Sequence, residues 1–369
     1  MSDDHGDAGM ISPYRGLDDR AFWRSGVAEA GVFPPPDLYR ARFPVTRDMP
    51  IFTAGSCFAQ HVGRALTDAG FSVIDSETLP PDIPDALARR WGYRMYSARF
   101  GNIYTTRQLA QLLDEALGDA EPADPIWQHD GRFFDALRPN VTPGGLETEA
   151  HVAESRAYHL EAVRDAAAEA AVVVFTLGLT EAWEHVDTGT VYPTAPGTIA
   201  GAYDPARYRF VNFRAAQVRA DFLAARDRFR LLNPDVRFLL TVSPVPLTAT
   251  ASGGHVLPAS VYSKSVLRTV AGELVEDFDD IDYFPSYEIV AGHPSRGQMF
   301  DANLRTVTRQ GVARVMAQFL SVHDPAPSPD AQRARQLARA RRKADQATAS
   351  SLGEDALVCE DELLEAFRK

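Results

Sequence analysis

A chain of 369 residues with 45% hydrophobic content is long enough to bury one large core or two smaller ones. Its formal charge of −12 argues against nucleic acid or an anionic membrane as the main partner, because both select basic surfaces. Two cysteines, Cys57 and Cys359, form neither a disulfide framework nor a cysteine-based zinc site.

The chain begins MSDDHGDAGMISPYRG, which is acidic and lacks the basic start and apolar core of a signal peptide. No apolar run reaches the roughly 20 residues that cross a bilayer. The expectation is a soluble, cytoplasmic protein in which Cys57 remains a thiol. Residues 1–48 scatter Phe22, Trp23, Phe33, Leu38 and Phe43 among Pro, Gly, Asp and Arg. They read as an extended arm laid over a core, with a mobile tip.

Residues 49–322 read as the folded domain. Ile51 to Ala54 is a short apolar run, Gly55-Ser56-Cys57 follows, and Phe58, Val62, Ala65 and Leu66 then recur at helical spacing. That is strand, tight turn, helix, with Gly55 for the turn and Ser56 or Cys57 as cap. A thiol in the first turn of a helix has a lowered pKa, and the amides there can hold an oxyanion. A small inert cysteine buried at a strand–helix joint gives the same pattern. Phe71 to Ile74 reads as a second strand. Residues 76–107 carry prolines and then aromatics around Gly101, which permits close backbone approach, and Asn102, which offers an amide; Gly-Asn is also an ordinary turn. A helix follows over 106–117. Residues 120–148, Pro-rich and anchored by Trp127, Phe133 and Phe134, read as an excursion that could serve as a lid, and an Ala/Glu-rich helix runs on to Ala170.

Ala171 to Leu177 (AVVVFTL) is a continuous apolar run suited to a central parallel strand buried on both faces. Its exit, Gly178-Leu179-Thr180-Glu181, lies where open α/β sheets place their sites, and a loop with Thr180 capping a helix reads equally from it. A Gly/Pro/Thr-rich segment with a short hairpin near Val191 follows, then a helix over 213–232. Val236 to Val242 is a second buried strand, ending in Ser243-Pro244, where proline stiffens the exit. A loop carries His255 to Tyr262-Ser263-Lys264, from which a helix runs to about Asp277. Ile281 to Phe284 is the last strand. His293 and Asp301 lie in the loop before a helix over 308–320. Residues 323–369, rich in Ala, Arg and Glu, read as C-terminal helices or a tail. Strands alternating with helices, the longest strands fully apolar, predict a three-layer α/β/α sandwich around a parallel sheet, of the flavodoxin-like or SGNH kind.

Gly55-Ser56-Cys57-Phe58-Ala59 resembles the signature of the GSCFA family. FGNIYTTRQLAQL, FTLGLTEAW, TVSPVPLTAT, YSKSVLR and DYFPSYEI resemble further stretches of it in the same order, over roughly residues 20–321. That family is similar to the SGNH/GDSL hydrolases, whose members are esterases, lipases and carbohydrate O-acyl enzymes. The resemblance places Cys57 at the nucleophile position and Ser56 at the position of the Asp in a Gly-Asp-Ser turn. It makes Gly101 an oxyanion donor with Asn102 beside it, and sets Thr180 where an oxyanion-binding Asn stands, with Glu181 next to it to orient a base or bind sugar hydroxyls. The Asp-x-x-His pair that would activate the nucleophile has no counterpart: Asp301-Ala302-Asn303-Leu304-Arg305-Thr306 contains no histidine. A thiol depends less on a base than a hydroxyl does. Candidates for that base are His255, then His293, then His61, one turn along from Cys57. Lys264 is a candidate contact for an anionic substrate group or a charge on a solvated helix face, and Ser243, His293 and Asp301 are further substrate-side candidates.

The resemblance therefore implies acyl transfer from an ester or O-acyl group, on a carbohydrate, through Cys57, with no resident cofactor and acyl-CoA as one candidate donor. The competing expectation is a glycan or nucleotide-sugar binding protein that has lost the base; a scaffold that binds a partner through its C-terminal helices is a third. The expected partner is a small molecule or carbohydrate, not nucleic acid, and the oligomeric state is left open.

Overall fold

The computed structural model describes residues 12–324 together with Leu363, Leu364 and Phe367. The tip of the arm, most of the expected C-terminal tail and Cys359 lie outside the described residues. In chain order the elements are β1 (Ile51–Gly55), α1 (Cys57–Asp68), α2 (Asp85–Arg90), α3 (Thr106–Leu117), β2 (Ile126–His129), β3 (Arg132–Asp135), α4 (Glu149–Glu169), β4 (Val172–Leu177), β5 (Glu181–His185), β6 (Val191–Tyr192), β7 (Tyr208–Asn212), α5 (Ala215–Leu232), β8 (Arg237–Val242), α6 (Val256–Asp277), β9 (Ile281–Tyr283), α7 (Ser286–Ala291) and α8 (Arg309–His323).

Four parallel strands form the central sheet in the order β1-β4-β8-β9. Alternation along each strand divides the core in two, because successive side chains leave a strand on opposite faces. Phe52, Val173, Phe175, Phe238 and Leu240 meet Leu113 of α3, Val163 of α4, Phe222 and Phe229 of α5 and Leu267 of α6 on one face. Ile51, Val172, Val174 and Leu239 meet Val62 and Leu66 of α1, Val290 of α7 and Phe319 of α8 on the other. Both faces are covered, so the strands are buried and mostly apolar, with Arg237 and Asp282 as the charged exceptions, and the three-layer α/β/α sandwich is as read from the sequence. The expected strand at Phe71 to Ile74 shrinks to one bridge, Ile51 to Val73. The Ile51 amide donates to Ser72 (2.8 Å) and its carbonyl accepts from Ile74 (2.9 Å), and no further ladder forms.

The arm is pinned by its last residues. Tyr39, Phe43 and Val45 are buried, whereas Phe22, Trp23, Phe33 and Leu38 remain exposed. Asp282 in β9 accepts from the Tyr39 hydroxyl (2.9 Å) and the Arg42 amide (2.9 Å), and His323 at the end of α8 accepts the Val45 amide on Nδ1 (3.2 Å). A chain segment with no regular structure is thus held by side chains that answer its backbone donors.

The excursion between α3 and α4 is a β2–β3 hairpin rather than an irregular loop. Trp127 and Phe134 anchor it as the sequence suggested, in a small separate core with Tyr192 and Tyr208. A three-stranded antiparallel sheet, β6-β5-β7, completes this part. It corrects one reading: Thr180 does not cap a helix, because Glu181 opens β5.

Candidate active site

The turn between β1 and α1 is forced by one glycine. Gly55 has φ +139°, and a Cβ there would lie 2.5 Å from the Thr176 carbonyl oxygen on β4, a contact no side chain survives. Next, the Ser56 amide donates to that same carbonyl (3.2 Å). Ser56 takes the extended conformation of a helix cap, but its hydroxyl caps nothing; it is buried without a partner among the described residues. The loop around Asn102 clamps the turn from above. The Gly55 carbonyl accepts the Ile103 amide (2.9 Å), the Ser56 carbonyl accepts the Tyr96 hydroxyl (3.2 Å), and Asn102 Oδ1 accepts Gln60 of α1 (3.1 Å) and the Tyr96 hydroxyl. Asn102 therefore positions α1 through its carbonyl oxygen. Gly101, at φ +70°, lets this loop fold over the sheet edge.

Cys57 is the first residue of α1, so its backbone belongs to the amide set that no helical carbonyl satisfies, at the positive end of the dipole. It is not, however, an exposed thiol at the mouth of a cleft. The residue is 3% exposed and sits in the apolar cluster that includes Val245, Phe284 and Ile289. The reason is the layer order: α1 covers the sheet face shared with α7, α8 and the arm, and Val245 from the exit of β8 belongs to the same apolar cluster.

Past the end of β4 the polar side chains gather. Gly178 packs against the turn so closely that a Cβ would lie 2.9 Å from the Ser56 Cβ, and its carbonyl accepts the Lys264 ammonium at 2.5 Å. Lys264 is 4% exposed, so it is buried and not part of a solvated helix face. The Thr180 amide donates to Ser263 Oγ (3.0 Å) and its hydroxyl to Asn212 Oδ1 (2.6 Å). That hydroxyl proton is committed to Asn212, so the oxyanion role implied for Thr180 would require this bond to break. Glu181, opposite Asn212 in the ladder, accepts the Thr250 hydroxyl (2.7 Å). Ser243 closes the exit of β8, its amide on the Leu177 carbonyl (2.9 Å) and its Oγ accepting the Val245 amide (3.3 Å). Ser56, Gly178, Thr180, Glu181 and Lys264 thus come together at the carboxyl edge of the sheet, with Cys57 adjoining.

Two of the candidate bases, His255 and His293, do not join them. α6 begins at Val256, inside the stretch read from the sequence as a loop running to Lys264, and His255 is its exposed cap, with Nδ1 accepting the Leu257 amide (3.1 Å). Nine residues separate it from Lys264, about 13 Å along a helix. His293 is exposed and stacked on Trp23 of the arm, ring centroids 5.2 Å apart. His61 lies edge-on to Phe58 within α1. Asp301 opens an exposed turn, its amide on the Thr306 carbonyl (2.8 Å). Asn212, Ser263 and Thr250 belong to the site although sequence reading passed over them. Ser263 stands beside Lys264 in YSKS, but nothing local marks Asn212 or Thr250, since each is brought in by strand pairing or by a loop.

A pocket of about 130 Å³ adjoins this region. Phe100, Asn102 and Ile103 line it; Cys57, Ser56 and Lys264 do not.

A doubly covered parallel sheet with a glycine-enforced strand–helix turn and a buried polar cluster at its carboxyl edge defines an α/β/α-sandwich protein whose site lies where open sheets place theirs. The chain belongs to the GSCFA family, whose model matches residues 50–319. None of the curated proteins compared with the chain matches it. Among the described residues no helix is long and apolar enough to cross a membrane.

Proposed function

We propose that this protein is an SGNH-like acyl-transfer enzyme that acts on an ester or O-acyl group, with a carbohydrate as the other partner, through Cys57. The observation that carries the reading is the position of the thiol: first residue of α1, directly off the buried strand β1 and next to Ser56, which packs against Gly178. In the reaction the sulfur attacks the acyl carbon and the acyl–oxygen or acyl–sulfur bond of the donor breaks. The thiol proton leaves with the departing alcohol or thiol. Water or a sugar hydroxyl then attacks the thioester, releasing acid or a new ester and restoring the thiol. Exchange between thioesters is close to isoenergetic, so acyl-CoA is the donor whose chemistry suits a cysteine best. Amides at the start of α1, with Gly101 nearby, stabilise the oxyanion. Lys264 supplies positive charge behind Gly178. A cytoplasmic setting fits modification of a glycan precursor.

The test is trapping. Incubation with acetyl-CoA or 4-nitrophenyl acetate is expected to add one acetyl group to Cys57, detected by intact mass, and Cys57→Ala to abolish both the adduct and turnover. Full turnover by Cys57→Ala would overturn the reading. A second reading, a glycan or nucleotide-sugar binding protein without chemistry, is favoured by the burial of Cys57 and by His255 and His293 serving other contacts. It predicts a thiol alkylated only above its ordinary pKa of about 8.5, whereas catalysis predicts alkylation well below it.

A further inference from the structure

The pocket beside Asn102 contains a histidine that the thiol chemistry does not use. His159 of α4 is completely buried, its Nδ1 2.7 Å from Glu77 Oε2. Glu77 also accepts the Arg99 amide (2.6 Å) and faces Arg138 (3.8 Å). Burial pushes the Glu77 carboxyl up, but the hydrogen bond from His159, the charge of Arg138 and the Arg99 amide outweigh it and hold it below the usual range. Burial first, then Arg138, lowers the imidazole to about 4. The ring is therefore neutral, with its proton on Nδ1 directed at the carboxylate. That leaves Nε2 as a lone-pair acceptor, and it has no partner among the described residues. A buried acceptor left without a donor is destabilising, and a ligand hydroxyl would relieve it.

The other polar groups lining the pocket restrict what that ligand is. Arg138 spends its guanidinium on Asp135 (2.7 Å), the Arg99 carbonyl (3.1 Å) and the Ser155 carbonyl (2.8 Å) and hydroxyl (3.0 Å). Arg156 is shared between Asp135 (3.0 Å) and Glu115 (2.5 Å). Arg99, Arg138 and Arg156 balance Glu77, Asp135 and Glu115, so no cation is left over for a phosphate or carboxylate. Gln108 offers a donor: its Oε1 accepts the amides of Tyr104 (3.0 Å) and Thr105 (3.1 Å), and its amide nitrogen has no partner among the described residues. Phe100, Leu112 and Val191 make the walls apolar. The volume, about 130 Å³, is that of a cavity that holds one six-membered ring.

We propose that this pocket binds one uncharged pyranose unit, with a sugar hydroxyl donating to His159 Nε2, a sugar oxygen accepting from Gln108 and a C–H face against Phe100 and Leu112. The proposal rests on the carbohydrate part of the function above and not on the thiol chemistry. Saturation-transfer NMR and calorimetry on the full chain, with methyl glucoside, methyl galactoside, methyl mannoside, N-acetylglucosamine and glucose 6-phosphate as probes, test it. At least one neutral sugar is expected to bind saturably. Ala120→Trp, placed at the exposed mouth of the pocket, is expected to weaken it about tenfold or more with unchanged thermal unfolding, and His159→Phe to weaken it to the same extent. Should His159→Phe fail to fold, Ala120→Trp decides alone. Cys57→Ala is expected to bind the sugar as the natural protein does, so loss of acyl trapping and loss of sugar binding report on different claims. No saturable binding up to roughly 50 mM of any neutral sugar, equal binding by Ala120→Trp, or tighter binding of glucose 6-phosphate would each overturn the proposal.

Discussion

Gly55 and Lys264 show how single residues set the site. Gly55 is the only residue type that passes the Thr176 carbonyl at its observed φ, so Gly55→Ala has to move β4 or the turn. It is expected to lower unfolding stability by about 3 kcal/mol or more, read from the urea midpoint at unchanged m-value. The need for glycine here was legible in the sequence, because strand, Gly-Ser-Cys and helix leave no other residue to make the turn. The burial of Lys264 was not. YSKS sits at a helix start on paper, where a lysine reads as surface charge. Only the approach of α6 to the end of β4 turns that ammonium onto the Gly178 carbonyl. Thr180 is similar: its residue type promised a free donor, and pairing of β5 with β7 brought Asn212 to take it.

At the scale of elements, the hairpin β2–β3 is tied to α3 and α4 by charges, not by length of ladder. Asp135 at the end of β3 receives Arg138 and Arg156, and Arg156 also grips Glu115 of α3. Burial alone would raise the Asp135 carboxyl; Arg156 and Arg138 outweigh burial and draw it down to about 2. Removing one member leaves buried charges unanswered, so Arg156→Met is expected to cost about 3–5 kcal/mol in urea unfolding. The double variant Arg156→Met with Asp135→Asn is expected to recover part of that loss, which separates charge from packing. The sequence showed the anchors Trp127 and Phe134 of this excursion but not its hairpin, because IWQH and RFFD are four residues each and carry too little alternation to stand out. The reverse error occurred at Phe71 to Ile74, whose composition suits a strand but whose neighbour offers a single bridge.

For the whole molecule the same buried groups make stability depend on pH. His159 and His323 are each held down to about 4, both by burial, with Arg138 adding to the effect at His159. Between about 4 and the unfolded value of 6.5 the folded chain therefore binds fewer protons than the unfolded one, and stability falls as pH is lowered through that window. Asp135, drawn down to about 2, extends the loss below the ordinary carboxylate value of 3.8. Asp75 works the other way: burial raises it to about 6, so its contribution is present at low pH and lost as pH rises through 6. Two histidines outweigh one carboxyl, and the melting temperature is expected to drop from pH 6.5 to pH 4. The fully buried His159 accounts for roughly 3 kcal/mol of that change. A folded His159→Phe variant is expected to show a shallower dependence by about one proton, measured as the slope of unfolding free energy against pH.

Taken alone, the amino-acid order determined the layers of this protein: uninterrupted apolar runs such as AVVVFTL can exist only where helices cover both faces of a sheet, and the glycine turn into α1 follows from steric exclusion next to such a strand. It also determined that Cys57 opens a helix. What tertiary structure decided was which groups meet there. Burial of the thiol, capture of Thr180 by Asn212, the placement of His255 and His293 on the surface, and the isolation of His159 Nε2 against a pocket all depend on pairs of residues tens to more than a hundred positions apart. Local propensity carries no information about such pairs, because their approach is set by how the covering helices and the small antiparallel sheet dock onto the core.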